Sequence, residues 1–182
     1  MNKIIALLFI CIAFSANAQT FDITEFGAIG DAKTINTLAI QKAVDACNKN
    51  GGGTVLVPTG IFMMGTVYLK SNVHLYLESG AVLRGSANLS DYTPYNEVHY
   101  GMLHAENSEN ITISGTGNID GNGDLFFDLN QAKKIEWGGS KYTRQKEKFR
   151  TVENGGIGDG PIVPKDRPYQ MFIFSNCKRI TI

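Results

Sequence analysis

A short unit recurs along the chain: a polar corner, followed by a run in which apolar and polar residues alternate. Asn-Ser-Glu-Asn-Ile-Thr-Ile at residues 107–113 returns as Asn-Cys-Lys-Arg-Ile-Thr-Ile at residues 176–182, and a looser copy occupies residues 70–75. Alternation with period two is typical of a strand that buries one face. Repeated units of this kind predict a β-solenoid, in which each strand pairs with its equivalents in neighbouring coils roughly 4.8 Å away.

Other short strands are predicted nearby, and the segments that join them are brief. The predicted strands cover residues 20–26, 54–57, 65–69, 73–77 and 81–83, with a turn-rich loop at 27–31. The connections are too short for crossover helices, and Asn-Gly hairpin signals are missing at the right places. The pattern therefore predicts a winding coil and not a meander. It breaks at about residues 122–166, which we predict to be a long functional or structureless insertion between two solenoid segments.

One helix is predicted, over residues 36–48. Its apolar residues recur at i, i+3, i+4 and i+7 and form one stripe, which comprises Ile40, Ala43, Val44 and Cys47. The candidate N-caps are Thr34, Asn36 and Thr37, and three glycines at 51–53 end the helix. The end of a solenoid needs a polar cap. We therefore expect this helix to cover the apolar end of the first coil.

The N-terminus has the pattern of an export signal. Lys3 precedes an apolar run over residues 4–14, and Ala16-Asn17-Ala18 gives a small-x-small cleavage site before Gln19. A buried helix is the alternative, but the run shows no polar side. The sequence predicts a signal peptide at residues 1–18, a mature domain at 19–182, and a periplasmic or extracellular location.

Composition excludes further classes of protein. The chain has 17 Lys and Arg against 17 Asp and Glu, which argues against a nucleic-acid binder. Its longest apolar run, residues 4–16, is too short to span a bilayer. Removal of the signal peptide leaves Cys47 and Cys177, which we predict to be buried free thiols, although a disulfide between them is the alternative.

Several motifs resemble those of known families. The opening is typical of the pectin-lyase-like right-handed parallel β-helices: Phe26-Gly27-Ala28-x-Gly30-Asp31, then residues 39–45 and 51–60. Later motifs are similar to the polygalacturonases of glycoside hydrolase family 28: residues 69–86, residues 115–123 and residues 167–177. The resemblance implies an all-β fold, a right-handed parallel β-helix with an N-terminal α-helical cap. It also implies a secreted, inverting hydrolase of galacturonic-acid linkages in pectin, without a cofactor and monomeric when full length.

Such a hydrolase needs an acid and a base whose carboxyl groups lie about 6.5–9.5 Å apart. The family's Asn-Thr-Asp motif and adjacent Asp pair are absent from this sequence. The nearest match to its Gly-His-Gly motif is His99-Tyr100-Gly101, and Arg179-Ile180-Thr181 lacks the lysine of its Arg-Ile-Lys motif. We therefore assign no catalytic residue in this chain. We expect it to represent the first few coils of a longer enzyme, and to be inactive alone.

Two other functions remain open on the same fold. One is a polysaccharide lyase that acts by β-elimination with calcium and a basic residue. The other is a non-catalytic β-helix whose surface binds carbohydrate. Calcium dependence and unsaturated products would identify a lyase, and binding without turnover would identify a non-catalytic protein.

The insertion carries the candidate substrate contacts. Seven Lys and Arg side chains lie between residues 133 and 150, interleaved with aromatic residues. Polygalacturonate is a polyanion, so cations with aromatic neighbours suit it. We predict contacts from Trp137, Lys141 and Arg144, against the alternative of a solvated loop.

Asp120, Asp124 and Asp128 form a cluster of carboxylates, and the segment Asp-Gly-Asn-Gly-Asp at residues 120–124 resembles the start of a calcium loop. Leu125 and Gln131 occupy the positions where such a loop needs Gly and Glu. We predict a structural corner here and no metal site. His74, His99 and His104 lack partners at zinc spacing, so none is predicted to be a ligand.

Overall fold

The computed structural model describes residues 19–95, 99–128, 142–145, 148–151, 163–164, 168 and 170–182. In this part of the chain, parallel strands form three sheets that wind around one hydrophobic core. The predicted fold, a right-handed parallel β-helix, is confirmed. No helix among the described residues is long and apolar enough to cross a bilayer.

Each sheet contains one strand from each successive coil. The first sheet contains, in spatial order, β1 (Thr20–Asp22), β3 (Gly53–Val57), β6 (Val73–Leu77), β11 (Glu109–Gly115) and β18 (Lys178–Thr181). The second contains β12 (Asn118–Asp120), β7 (Ala81–Gly85), β4 (Gly60–Met64) and β2 (Asp31–Ile35). The third contains β17 (Phe172–Ser175), β10 (Leu103–Glu106) and β5 (Val67–Tyr68).

The sequence repeats lie directly above one another. Ile111 of β11 is in register with Ile180 of β18, and Ile113 is in register with Leu75 of β6. The inward residues of these strands form continuous apolar rows, in which Val55 and Leu75 are fully buried. The period-two alternation therefore sets the register, because a slip by one residue would turn each row outward.

The predicted helix is α1 (Thr37–Lys49), and its apolar stripe is confirmed. Ile40, Ala43, Val44 and Cys47 all have 0% exposure. Asn36 lies at the N-cap but makes no capping hydrogen bond. Its amide oxygen instead accepts from the Ile29 nitrogen at 2.7 Å. The helix ends where the Gly52 nitrogen donates to the Cys47 carbonyl and Gly52 adopts a positive φ of 128°.

The structure differs from the predicted strands in the first coil: one predicted strand is shorter, and two strands were not predicted. Residues 20–26 do not form one strand, because the Asp22 carboxylate accepts from the Thr24 nitrogen and a 3-10 helix, η1 (Ile23–Phe26), follows. The predicted loop at 27–31 leads into β2, which the sequence did not reveal. β4 was also missed, since its outward residues Ile61 and Met63 are as apolar as its buried Phe62.

The prediction that Cys47 and Cys177 do not form a disulfide is confirmed, because both are free. Burial differs between them, because Cys47 is fully buried under α1 while Cys177 is only half-buried. Cys177 follows a corner asparagine, where the chain turns along the surface. The prediction that both thiols are buried was therefore correct only for Cys47.

The corners between sheets fall into two kinds. The constant corners join the third sheet to the first and the first to the second, and their connections are short: residues 69–72, 107–108 and 176–177, then 58–59, 78–80 and 116–117. The variable corner joins the second sheet to the third. Its connections lengthen along the stack, from residues 65–66 to 86–102 and then to 121–171.

The insertion lies in the variable corner. We predicted a functional or structureless loop there, but its described parts pair as antiparallel strands. β13 (Phe127–Asp128) pairs with β16 (Val163–Pro164), and β14 (Tyr142–Gln145) pairs with β15 (Lys148–Thr151). The preceding connection holds a third antiparallel pair, β8 (Pro94–Tyr95) with β9 (His99–Tyr100). Every antiparallel pair in the described part of the chain belongs to this corner.

Candidate functional site

The outer face of the third sheet lies beside the variable corner, and the two together form the candidate site. A rigid stack of parallel strands supplies the base. Long connections emerge from one side of it, as binding loops commonly do. The same connections also adjoin the second sheet, from which they start, whereas the first sheet is flanked only by constant corners.

One outward row of the third sheet consists of Tyr68, His104 and Ile173, which are in register. The Tyr68 and His104 rings lie 4.9 Å apart between centroids, with an interplanar angle of 41°. His104 is buried although it points outward from the sheet, with 4% exposure. Burial lowers the pKa of the His104 imidazole, an effect that the nearby Glu106 carboxylate partly opposes. The His104 imidazole thus packs against the Tyr68 ring and is almost closed to solvent.

A cavity of about 170 Å³ opens between the two longer connections of the variable corner. Its lining combines apolar side chains with glycine backbone and one amide: Tyr92, Met102, Gly121, Gly123, Phe126, Pro168, Gln170 and Met171. Both connections contribute to the wall. The cavity therefore exists only because the third connection packs against the second.

Tyr92 fixes the second connection to the stack. Its phenol donates to the Ser86 carbonyl at 2.8 Å. Burial, and then the charge of the neighbouring Asp91, raises the pKa of Tyr92 to about 12. The Asp91 carboxylate also accepts a hydrogen bond from the Ser86 hydroxyl. A Cβ atom on Gly85 would lie 2.7 Å from the phenol oxygen, so glycine is needed to admit this side chain.

The predicted substrate contacts are not tested by the structure. Trp137 and Lys141 lie outside the described residues. Arg144 belongs to β14, where its backbone is in register with Phe149 of β15, and its side chain lies outside the description. These three contacts remain a prediction.

The acidic segment is described in part. Asp120 pairs with Arg84 at 2.9 Å between carboxylate oxygen and Nε, and its other oxygen accepts from the Asn122 nitrogen at 2.8 Å. Both bonds hold the coil corner together, as the structural interpretation of Asp120 requires. Asp124 is exposed, and the side chain of Asp128 lies outside the description.

The pairing of Tyr68 with His104 escaped sequence analysis. His104 lies between the inward Leu103 and Ala105, so alternation alone indicates an outward position. Its partner ring is one coil away, and only the register of β5 with β10 brings the two together.

Comparison with known proteins gives relatives that are named as enzymes of acidic polysaccharides. The chain is 41% identical over 125 residues to an exo-poly-α-D-galacturonosidase of Dickeya chrysanthemi, which takes in 60% of this chain and 20% of the relative. It is 35% identical over 114 residues to alginate lyase 7 of Azotobacter vinelandii, which takes in 57% of this chain and 13% of the relative. No protein-family model matches the chain.

A solved structure agrees with these relatives. The family 28 exopolygalacturonase of Yersinia enterocolitica superposes with a TM-score of 0.54 and 32% identity, over 75% of this chain and 25% of that one. The chain thus spans between 13% and 25% of the length of these three proteins. It resembles the polygalacturonases of glycoside hydrolase family 28, and its fold is the right-handed parallel β-helix of these enzymes.

Proposed function

We propose that the protein is a glycoside hydrolase of the polygalacturonase type that cleaves galacturonic-acid linkages in pectic polysaccharide. The observation that carries the proposal is the 41% identity to an exo-poly-α-D-galacturonosidase. The Asn-Thr-Asp and Asp-Asp motifs are absent from the 182 residues. In the proposal, therefore, the catalytic carboxylates lie in a part of the protein beyond the segment that this chain represents.

The test compares this chain with the product of its complete reading frame. Each is incubated with polygalacturonate, and reducing ends are measured, with NMR of the anomeric proton to follow stereochemistry. We expect release with inversion by the complete product and none by the 182-residue chain. Release by the 182-residue chain would contradict the placement of the carboxylates, and inactivity of both would contradict the function.

We propose that the variable corner and the third sheet hold the polysaccharide, with Trp137, Lys141 and Arg144 among the contacts. Support comes from the charge and aromatic content of the insertion, which suit a polyanion of sugar rings. Replacing the three residues together by alanine should weaken binding of polygalacturonate about tenfold or more, since charge-assisted contacts are the strong ones. A matched triple change of Leu38, Lys42 and Lys49, which lie on α1, also removes two positive charges and should leave binding within twofold. Equal losses in both variants would indicate only a general charge effect.

We also propose that the protein is exported through cleavage before Gln19 and that the complete protein is a monomer. The n-region, apolar run and small-x-small site of residues 1–18 support export. N-terminal sequencing of secreted material should begin at Gln19, and light scattering should give the mass of one chain.

A second function, a lyase, is favoured by one specific observation, the 35% identity to alginate lyase 7. Elimination leaves an unsaturated sugar that absorbs in the ultraviolet, whereas hydrolysis leaves none. Absorbing products that require calcium would therefore replace the hydrolase with a lyase. Retention of polysaccharide by the complete protein without any product would instead favour a non-catalytic β-helix.

A further inference from the structure

The outer face of the first sheet, away from the variable corner, carries one exposed aromatic platform. Tyr76 of β6 is 37% exposed, and it lies in register between Leu56 and Ser114. The outward residues around it are mainly hydroxyl-bearing, including Thr54 and Thr112. A flat polar sheet with one exposed ring is therefore present on a face that the proposed function does not use.

The Tyr76 ring is held in place by its neighbours. The Tyr76 and His74 rings make a T-shaped contact, with centroids 5.8 Å apart and an interplanar angle of 79°. His74 in turn hydrogen-bonds to the Ser114 hydroxyl, with 2.7 Å between Nε2 and Oγ. A ring fixed in this way loses little further freedom on binding, which favours its use as a rigid contact surface.

A groove runs beside the ring along the corner between the first and second sheets. It has a volume of about 330 Å³ and is lined by Thr59, Tyr76, Glu78, Ser79 and Thr116. Thr59 and Thr116 belong to turns that are two coils apart, with the turn at residues 78–80 between them, so the groove extends roughly 10 Å along the stack. Its floor is rigid, because the Thr59 hydroxyl donates to the Ser79 carbonyl at 2.8 Å and the Glu78 nitrogen donates to the Val57 carbonyl at 3.0 Å.

The chemistry of the groove selects the class of ligand. An aromatic face beside hydroxyl, carboxylate and backbone groups matches a sugar ring, which has one apolar face and many hydroxyls. The lining includes one carboxylate, Glu78, and no Lys or Arg among its residues. A polyanion such as polygalacturonate would meet the Glu78 charge without a compensating cation. The groove therefore favours an uncharged saccharide.

We propose that the groove and the Tyr76 ring form a secondary binding site for a neutral polysaccharide. The site lies on a different sheet from the candidate substrate surface, so occupation of one leaves the other accessible. The proposal does not depend on the proposed function, because it concerns another face and another class of ligand.

The test is affinity electrophoresis of the 182-residue chain in gels that contain a neutral galactan, polygalacturonate or no polysaccharide. We expect galactan to retard the chain. Tyr76→Ala should weaken that retardation roughly tenfold, whereas Tyr76→Phe, which keeps the ring, should stay within about threefold. Chemical denaturation should show that each variant folds, since Tyr76 lies outside the core.

Leu38→Ala is the control, because Leu38 is 76% exposed and lies on α1, outside both the groove and the candidate site. It should leave retardation by galactan unchanged. Absence of retardation of the parent chain by galactan would overturn the proposal. It would also be overturned if Leu38→Ala weakened retardation as much as Tyr76→Ala. The charge argument is tested by Glu78→Gln, which should not reduce galactan binding, and a tenfold loss there would overturn the assigned chemistry.

Discussion

The constant corners and the variable corner of this β-helix join strands of the same coils but differ in the lengths of their connections. At the constant corners, connections of a few residues hold each coil in register with the next, and asparagines with positive φ lie above one another. Asn110 lies at φ 57° over Asn72 at φ 63°. At the variable corner the connection grows from two residues, 65–66, to the whole of 121–171. The coil thus tolerates insertion at one corner because the other two fix its geometry.

The energetics of chain closure explain this tolerance. The entropic cost of closing a flexible loop rises by only about 0.6 kcal/mol for each doubling of its length. Displacing a buried row of the core would cost several times more, at about 2–5 kcal/mol for one large apolar side chain. Extra residues therefore cost little stability at a corner where they leave the strand register unchanged.

The largest effect is expected from adding a side chain at Gly115, the last residue of β11, next to the constant corner at residues 116–117. Gly115 has φ 119°, and a Cβ atom there would lie 2.0 Å from the Leu77 carbonyl oxygen. Gly115→Ala should lower the free energy of unfolding by about 3 kcal/mol or more, since both backbone strain and overpacking result. Urea denaturation measures the change.

Gly123→Ala, in the variable corner, is the matched control for that substitution. A Cβ atom at Gly123 would meet no heavy atom within 4 Å. The change in the free energy of unfolding should stay within about 0.5 kcal/mol. Equal losses at the two glycines would contradict the distinction between the corners.

A smaller effect on the free energy of unfolding is expected when alkaline pH ionises Tyr92, in the variable corner. The pKa of Tyr92 is raised from 10.0 to about 12, mainly by burial, so folding favours the neutral phenol. This stabilisation is fully present below about pH 10 and is lost as the pH rises to about 12, a change of about 2–3 kcal/mol. Urea denaturation of the parent chain and of Tyr92→Phe, each at pH 8 and pH 11.5, measures the part of the stability change that is due to Tyr92. The parent should lose more stability than the variant, and parallel losses would show that Tyr92 does not titrate in this way.

The smallest effect is expected at Asn110, which lies at the start of β11 and stacks on Asn72 of the preceding coil. The Asn110 amide donates to Asn72 Oδ1 at 2.8 Å and accepts from Arg179 Nε at 2.5 Å. Asn110→Ala should cost about 2 kcal/mol and Asn110→Gly about 1 kcal/mol, because glycine relieves the positive φ but loses the hydrogen bonds. Thermal and urea denaturation compare them. If both variants lost the same free energy, backbone conformation would contribute nothing to the corner.

Sequence analysis recovered the parts of the fold that depend on local periodicity. The stripe of Ile40, Ala43 and Val44 predicted α1, and the repeated Asn-x-x-x-Ile-Thr-Ile unit predicted the stacking of β11 with β18. β4 was missed because its outward residues Ile61 and Met63 are apolar, which removes the alternation. β1 ended early because Asp22 hydrogen-bonds locally, which competes with the strand.

The candidate site was less accessible to the same reasoning. The insertion was recognised as a break in the pattern, but the wall that it forms depends on contacts between distant connections, such as the Met102 nitrogen with the Met171 carbonyl at 3.1 Å. The burial of His104 likewise depends on Tyr68 from another coil. Such contacts leave no periodic signal along the chain, because only the register of the sheets brings the residues together.

The long third connection also has a consequence for the order of folding. β10 and β11 pair with β17 and β18, although residues 121–171 intervene along the chain. Contacts between distant segments form slowly, because the chain must close before they can stabilise it. We expect the coils next to α1 to assemble first and the strands after the insertion to join last. Until they do, β10 and β11 present open strand edges, and this interval is when the nascent chain is most exposed to aggregation.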